Sequence, residues 1–193
     1  MQSPAKISVI MPVYNCGTTL ADEIGWLQES LPEIVGRNFE VVVVDDGSQD
    51  DTTEVLNDLQ ARYQNLRVAR HSRPRGVEAA GQTGLEKSSG DLVFIKEGQD
   101  RLSLHDLRQL LDLSDDPSVV AARAQSSPDV LAGPLLRRLR AWGAASRTGE
   151  RSSQSLGRGL QMLRRRHLQA LASPAGRQLR LQSGRIVTCT ATA

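Results

Sequence analysis

Two adjacent aspartates followed by a glycine and a serine are the residues whose types and order most clearly indicate chemistry. Asp45 and Asp46 come directly after an apolar run, and Gly47 and Ser48 follow them. A carboxylate at this position can accept hydrogen bonds from a nucleobase or a ribose, and the glycine lets a ligand approach the backbone closely. The same four residues also suit a ligand-free turn in which an aspartate caps the following helix. The pattern by itself leaves both interpretations open.

The elements that position these aspartates are predicted to alternate between strands and helices. An apolar run at residues 7–13 and a β-branched run at residues 39–44 predict strands, and further strands are predicted at residues 66–70, 91–95 and 119–122. Apolar residues at helical spacing predict helices from Leu20 to Leu31, from Val55 to Tyr63, over residues 77–87 and from Leu104 to Leu111. Such alternation predicts an α/β fold with a mostly parallel sheet flanked by helices. Ligands of such sheets bind where the carboxyl ends of the strands meet.

The helix boundaries and the last third of the chain are less strongly patterned. Candidate caps are Thr18 or Thr19 for the first helix and Asp50 or Asp51 for the second. Beyond Ser126, apolar spacing predicts helices from Leu131 to Trp142 and from Leu160 to Leu171, a polar loop at residues 148–155 and a final strand at residues 186–190. A single domain is predicted, because 193 residues leave little room for two separate cores.

Composition narrows the classes of protein that remain. Cys16 and Cys189 lie far apart, without a CxxC pair or neighbouring histidines, which argues against a disulfide framework or a zinc site. The turn after the first strand lacks the GxGxxG of dinucleotide-binding oxidoreductases. No signal peptide is recognised, and no apolar stretch approaches the ~20 residues of a membrane-spanning helix. These features predict a cytoplasmic protein without a transmembrane segment.

Charge is distributed unevenly along the chain. Residues 1–120 contain 11 Lys and Arg against 20 Asp and Glu, whereas residues 121–193 contain 13 arginines against two acids. A basic part of this kind suits phosphates, an anionic membrane surface or nucleic acid, but it equally suits a solvated surface that neighbouring acids neutralise. Nucleic acid is the weakest of these alternatives, because no aromatic platform accompanies the arginines.

Four segments of the sequence carry a resemblance to a known family. They are residues 8–15 (SVIMPVYN), residues 42–48 (VVVDDGS), residues 75–94 with their RGV, AA, GL and SGDLVF motifs, and residues 159–165 (GLQMLRR). The first three closely resemble family-2 glycosyltransferases of the GT-A fold. The fourth is similar to the Gly-Phe-x-Leu-Phe-Arg-Arg stretch of polyprenyl-phosphate sugar transferases. Each motif alone is weak, whereas three in this order and at this spacing are specific.

The resemblance implies a fold, a reaction and a set of site residues. The fold would be a single GT-A (Rossmann-like) domain, with residues 1–125 as a nucleotide-sugar-binding half and residues 126–193 as a basic, acceptor-side half. The reaction would transfer a sugar from a UDP- or GDP-sugar to a hydroxyl or lipid-phosphate acceptor by an inverting mechanism, and the basic half permits peripheral contact with a membrane. Pro12 and Tyr14 would border the nucleobase, Asp45 would contact it, and Asp46 would lie nearby on the same loop.

The chain departs from the family at the metal motif. Where the family carries Asp-x-Asp, whose carboxylates hold Mn²⁺ or Mg²⁺ against the diphosphate, this chain has Glu97-Gly98-Gln99 and then Asp100. Glu97 and Asp100 are the candidate metal ligands, because such cations require oxygen ligands, whereas Gln99 is neutral. Lys96 stands where the family usually has an apolar residue. Its ammonium could supply the positive charge that a metal would give, or its side chain could extend into solvent.

An inverting transferase also needs a general base for the acceptor, and residues 121–193 offer only Asp129 and Glu150. Asp129 is the candidate, although it would also suit the cap of the helix predicted after it. The altered metal motif and the lack of a family context for a base leave an alternative open. That alternative is a catalytically inactive or regulatory module that binds a nucleotide sugar.

Overall fold

The computed structural model describes residues 6–98, 100–125, 159–173, 176–181 and 185–190. In chain order these residues form β1 (Ile7–Val13), α1 (Gly17–Val35), β2 (Phe39–Asp45), α2 (Thr52–Arg62), β3 (Leu66–Arg70), α3 (Val77–Lys87), β4 (Leu92–Glu97), α4 (Leu104–Leu113), β5 (Val119–Gln125), β6 (Gly159–Arg164), a 3-10 turn (Arg165–His167), β7 (Leu168–Ser173), β8 (Gly176–Leu181) and β9 (Arg185–Thr190). The nine elements from β1 to β5 match the strands and helices predicted from the sequence.

Seven of these strands form one mostly parallel sheet in the order β3-β2-β1-β4-β6-β5-β9, and β7 and β8 form a separate hairpin. β1 pairs in parallel with β2 and β4, β2 pairs in parallel with β3, and β9 pairs in parallel with β5. β6 runs antiparallel between β4 and β5. The register sets Val13 opposite Asp45 and Asp45 opposite Arg70, so the carboxyl ends of three strands meet at one edge. The predicted α/β fold is confirmed.

Helices cover both faces of the sheet, which explains why its central strands are apolar without alternation. On one face, side chains of α1, α2 and α4 such as Leu27, Leu56 and Leu107 pack against the strands. On the other face, α3 contributes Ala80 and Leu85. A parallel strand between two helical layers buries side chains on both faces, and all seven residues of β2 are buried. None of the described helices combines the length and the apolar character needed to cross a bilayer.

The helix predicted from Leu160 to Leu171 is wrong. These residues belong to β6, the 3-10 turn and β7. Leu160 and Met162 pack with the core on the side of α1, whereas Leu163 packs on the side of α3, which is the alternation of a strand buried on both faces. β6 lies between β4 and β5 and pairs with both. Tertiary pairing therefore outweighs the helical spacing of the leucines.

The predicted helix caps are corrected in part. α1 begins one residue before Thr18, so Thr18 and Thr19 both lie inside its first turn. α2 begins at Thr52, and the side chain of Asp50 accepts from the Thr52 backbone N–H at 3.1 Å. Asp51 occupies the cap position without a side-chain cap hydrogen bond. The predictions for residues 131–142, for residues 148–155 and for Asp129 lie outside the described residues.

The loops that follow β2 and β3 cross at Gly47. Its φ of 76° lies in the left-handed region that residues with a side chain rarely adopt. A Cβ at this position would lie 2.7 Å from the carbonyl carbon of Arg73 and 2.9 Å from the nitrogen of Pro74. Glycine is therefore required at this position for two reasons: the backbone angle and the close approach of the loop after β3.

We expect Gly47→Ala to destabilise the protein more than Gly36→Ala does. Gly36 has a similar φ of 72°, but nothing lies within 4 Å of a Cβ built there. Its ψ of −167° places it in a region that is essentially restricted to glycine, so its substitution measures backbone strain without a clash, about 1–3 kcal/mol. Gly47→Ala adds a displacement of the Arg73 backbone to that strain. Urea unfolding of both variants measures the difference, and equal losses of stability would contradict the close crossing of the two loops.

Glu40 is a buried carboxylate near the amino end of β2 that joins this strand to its neighbours. Ser8 Oγ donates to it at 2.6 Å, Ser89 N donates at 2.5 Å, and Lys6 Nζ donates at 3.3 Å. Burial raises the pKa of Glu40, but these hydrogen bonds together outweigh the burial and lower the pKa to about 2. The folded state therefore stabilises the charged carboxylate.

Glu40→Gln imitates the protonated carboxyl and should lower the free energy of unfolding at pH 7. Linkage gives a loss of about 3 kcal/mol for a pKa lowered from 4.5 to about 2. A lowered pKa stabilises the folded state above the unfolded pKa, and this contribution is lost as pH falls through the folded pKa. The difference between wild type and variant should therefore shrink from pH 4.5 to pH 2 in urea unfolding.

The control is Glu86→Gln on the exposed surface of α3, which should change stability little at any pH. If the effect of Glu40→Gln were small at pH 7, or stayed constant down to pH 2, the hydrogen-bonded carboxylate would not have the stabilising role assigned to it.

Candidate functional site

The loops after β1 and β2 are joined by hydrogen bonds between side chains of one and backbone amides of the other. Asn15 N donates to Ser48 Oγ at 2.9 Å, and Gln49 N donates to Asn15 Oδ1 at 2.9 Å. Cys16 N donates to Thr52 Oγ1 at 3.0 Å. Asn15 adopts a left-handed φ of 48°, which asparagine tolerates better than most residues. These bonds hold the two loops together as one surface at the carboxyl edge of the sheet.

Asp45 ends β2 with its carboxylate inside this network. It accepts from Ser48 N at 2.8 Å and from Thr53 Oγ1 at 3.2 Å, and Arg70 Nε lies 3.2 Å from its Oδ2. Asp45 is fully buried, whereas the side chain of Arg70 is 48% exposed. Arg70 is therefore the solvent-facing partner of Asp45, and a ligand that contacts this carboxylate must first displace the guanidinium.

Asp46 holds the loop after β3. Its Oδ1 accepts from Arg75 N at 2.9 Å and lies 2.6 Å from His71 Nδ1, and its Oδ2 accepts from Gly76 N at 2.6 Å. His71 Nε2 in turn lies 2.8 Å from Thr83 Oγ1 on α3. The carboxylate thus fixes the position of this loop against β2, and the predicted place of Asp46 beside the bound nucleotide stays a prediction.

Pro12 and Tyr14 lie at the end of β1 in different environments. Pro12 is buried in the strand opposite Val44. Tyr14 is 39% exposed, whereas other large hydrophobic residues of the described chain, such as Trp26 and Tyr63, are at most partly exposed. An exposed aromatic ring beside a fixed loop suits stacking of a planar base. The fold brings Pro12, Tyr14 and Asp45 to one edge, with Asp45 behind Arg70.

Lys96 near the end of β4 is buried and ion-paired. Its side chain is 5% exposed, and its Nζ lies 2.5 Å from Oε1 of Glu23 on α1. The alternative in which Lys96 extends into solvent is therefore wrong. The other alternative, in which Lys96 supplies charge in place of a metal, stays a prediction.

Glu97, the last residue of β4, is bound by side chains from two other strands. Arg123 of β5 donates to Glu97 Oε2 from Nε at 2.9 Å and from Nη2 at 2.6 Å. Gln161 of β6 donates from Nε2 to Glu97 Oε1. Arg123 and Gln161 are each 1% exposed. Burial raises the pKa of Glu97, and the charge and hydrogen bonds of Arg123 oppose that shift. Both oxygens of the carboxylate thus accept hydrogen bonds from the protein.

A cavity of about 390 Å³ opens at the end of β4. It is formed by β4, the loop that follows, the start of α4 and the start of β6, and its lining includes Lys96, Glu97, Asp100, Arg101, Asp106 and Gly159. Asp100 is exposed in this loop. The guanidinium carbon of Arg101 lies 4.9 Å from the ring centre of Trp26. The volume suits a small ligand or one part of a larger one.

The residues at this position do not fit the divalent cation that the family resemblance implies. Such a cation needs several oxygen ligands, whereas Glu97 directs both oxygens at Arg123 and Gln161. Gln99, which stands between Glu97 and Asp100, is neutral. Within the described residues, no group of three His, Cys, Asp or Glu side chains is able to hold a metal ion. Glu97 therefore has the geometry of an ion-pair partner.

Sequence reasoning did not identify three residues of this edge: His71, Arg123 and Gln161. Two of them carry a signal in retrospect. Arg123 is a single charge inside the alanine-rich strand VVAARAQ, and a charge within a buried strand requires a partner. Gln161 is a single polar residue between Leu160 and Met162, but the helix predicted there concealed its position in a strand.

Comparisons with known proteins identify relatives. The model of glycosyl transferase family 2 matches residues 8–171. Glycosyltransferase AglE of Haloferax volcanii is 35% identical over 97 residues, covering 48% of this chain and 30% of that protein. Dolichol-phosphate mannosyltransferase of Pyrococcus furiosus is 34% identical over 92 residues, covering 48% of this chain and 25% of that protein. The matched residues therefore span less than a third of each of these two relatives.

A solved structure supports the fold. The mannosyltransferase PcManGT from Pyrobaculum calidifontis, in complex with GDP-Man and Mn²⁺, aligns with a TM-score of 0.50 and 23% sequence identity over 72% of this chain and 39% of that one. At this identity the likeness concerns the GT-A fold alone. The family match includes all four segments on which the resemblance was based. Because that match covers most of the sequence and the sheet has the expected architecture, this chain belongs to glycosyl transferase family 2.

Proposed function

We propose that this chain transfers a sugar from a nucleotide-diphosphate sugar to a hydroxyl or lipid-phosphate acceptor by an inverting mechanism. The observation that carries the proposal is the set of hydrogen bonds that fastens the loops after β1, β2 and β3 to one another. They lie at the edge where open parallel sheets bind ligands. Family membership supports the type of reaction. A lipid phosphate is included because one relative is named for dolichol phosphate.

The nucleobase is proposed to bind beside Tyr14 at the ends of β1 and β2. The exposed ring of Tyr14 would stack on the base, and Pro12 would support the strand beneath it. Asp45 would accept a hydrogen bond from a base N–H once Arg70 moves away. Both UDP and GDP offer such an N–H, so this part of the site does not distinguish between them.

The diphosphate and sugar are proposed to extend toward the cavity at the end of β4, which lies next to β1 in the sheet. Lys96 and Arg101 line this cavity together with the acids Glu97, Asp100 and Asp106. Glu97 affects binding through its charge: if its carboxylate had no cationic partner, it would repel the negatively charged diphosphate. Its ion pair with Arg123 removes most of that repulsion.

The reaction proposed is a single displacement. The acceptor oxygen forms a bond to the anomeric carbon while the bond from that carbon to the diphosphate oxygen breaks, and where the acceptor is a hydroxyl its proton passes to a base. Asp129 is the proposed base. It follows Gln125, the last residue of β5, by four positions. Four fully extended residues span at most about 14 Å, so the sequence allows Asp129 to lie within that distance of the end of β5. Lys96 and Arg101 would stabilise the charge that develops on the departing diphosphate.

A second candidate function is a module that binds a nucleotide sugar without transferring it. The ion pair between Glu97 and Arg123 favours this candidate, because it occupies a carboxylate at the position of the family's metal motif. Both candidates require the same base site at Tyr14. They differ in turnover alone.

Tyr14→Ala should weaken the binding of UDP or GDP, whichever binds wild type more tightly, by about tenfold. Stacking of a base on an aromatic ring contributes roughly 1–3 kcal/mol, and about 1.4 kcal/mol corresponds to tenfold in Kd. Tyr14→Phe keeps the ring and should bind within about twofold of wild type. Isothermal titration calorimetry measures all three proteins. Unchanged binding by Tyr14→Ala would remove Tyr14 from the base site.

Turnover separates the two candidate functions. The full chain is incubated with UDP- or GDP-sugars, with and without an alcohol or a polyprenyl phosphate, and the release of nucleoside diphosphate is measured. Release that depends on the acceptor is the result expected of a transferase. Nucleotide binding without release would leave the binding module. If neither the nucleotides nor the nucleotide sugars bind, both candidates are wrong.

A further inference from the structure

The ion pair between Glu97 and Arg123 spans three strands of the sheet. Glu97 lies on β4 and Arg123 on β5, and β6 runs between them. The residue of β6 that lies opposite Glu97 is Gly159. A Cβ on Gly159 would lie 2.9 Å from Glu97 Oε2 and 3.5 Å from Arg123 Nε. The absence of a side chain at this one position therefore opens the path by which the guanidinium reaches the carboxylate.

Gln161 completes the enclosure of the carboxylate. It lies opposite Arg123 in the pairing of β5 with β6, and opposite Ile95 in the pairing of β6 with β4. Its amide donates to Glu97 Oε1, while its own amide oxygen is buried without a hydrogen-bond partner. The amide group thus directs its donor at Glu97 even though its acceptor remains unsatisfied. Glu97 is surrounded by donors, as an anion in a nearly buried position requires.

A divalent cation at Glu97 would have to displace this arrangement. Arg123 is 1% exposed, so moving its guanidinium away from Glu97 would break a buried ion pair. Lys96, the preceding residue, is engaged on the other face of the sheet by Glu23. The end of β4 therefore carries two internal ion pairs at the position of the family's metal motif.

We propose that Arg123 takes the place of a divalent cation at this end of β4: it neutralises Glu97 permanently, so that nucleotide binding by this chain needs no Mn²⁺ or Mg²⁺. The neutralisation of Glu97 is supported by its ion pair with Arg123 and by the hydrogen bond from Gln161. The part that concerns the nucleotide rests on the proposed function. The two parts are tested by separate measurements.

The first measurement uses Mn²⁺ alone. Electron paramagnetic resonance detects free Mn²⁺ in the presence of wild type, of Glu97→Gln and of Glu86→Gln, the surface control that also loses one carboxylate. The expected result is the same concentration of free Mn²⁺ with all three proteins. Mn²⁺ that wild type and Glu86→Gln bind but Glu97→Gln does not would overturn the proposal, whether or not any nucleotide binds.

The second measurement compares the binding of UDP and GDP to wild type in Mn²⁺ and in EDTA. The two dissociation constants are expected to agree within about twofold, and binding that is tighter by about tenfold or more in Mn²⁺ would overturn metal independence. Absence of nucleotide binding in both conditions would instead refute the proposed function. The Mn²⁺ measurement would still decide the role of Glu97.

Two variants test whether neutralisation is what Arg123 contributes. Arg123→Met exposes the Glu97 carboxylate to the diphosphate and should weaken binding in EDTA by about tenfold. The double variant Arg123→Met/Glu97→Gln contains neither charge and should bind within about twofold of wild type. Wild-type affinity in the single variant, or weak binding in the folded double variant, would contradict the role. The double variant removes both charges of the pair, so a folded double variant keeps the test valid if the single variant does not fold.

Discussion

Three carboxylates at the carboxyl edge of the sheet are largely withdrawn from water, and each must be paired inside the protein because an isolated buried charge is strongly unfavourable. Asp45 meets this requirement through Arg70, Asp46 through His71 and two loop amides, and Glu97 through Arg123. These partners lie on different strands and loops. Pairing the charges therefore fixes the loops after β2 and β3 and ties β5 to β4. The arrangement of loops and strands at this edge therefore depends on the pairing of these three carboxylates.

Hydrogen bonding and ion pairing inside the fold also account for some of the arginines in residues 121–193. Arg123 serves Glu97, Arg164 donates to the backbone carbonyl of Val119 at 2.7 Å, and Arg165 donates to that of Gly90 at 2.6 Å. Arg165 also donates to the Leu85 carbonyl in the last turn of α3, where a cation complements the helix dipole. These three arginines contribute to internal structure. Their guanidinium groups donate to groups inside the fold, so part of the positive charge counted in this region contributes to internal structure.

Features that depend on neighbouring residues could be predicted from the sequence, whereas contacts between residues far apart in the chain could not. β1, β2 and β4 are short and largely apolar, and the rule that parallel strands bind ligands at their carboxyl ends then selects the loops at Tyr14 and Asp45. The partners of Glu97 could not be predicted in this way, because Arg123 and Gln161 are 26 and 64 residues away along the chain. No local spacing encodes such a contact. The leucines of β6 fit helical spacing as well as strand alternation, and only the gap between β4 and β5 decides between the two.

The ion pairs at the end of β4 also determine what binding and catalysis would each require of this chain. Binding of a nucleotide needs an aromatic ring and polar groups for the base and an edge that does not repel the diphosphate. Ion pairs without net charge are sufficient to avoid that repulsion. Transfer additionally needs positive charge where the diphosphate departs, because charge develops there in the transition state. Lys96 is already partly neutralised by Glu23, whereas Arg101, stacked on Trp26, is the cavity cation that remains exposed. A metal-independent transfer reaction would therefore depend on Arg101 far more than nucleotide binding does.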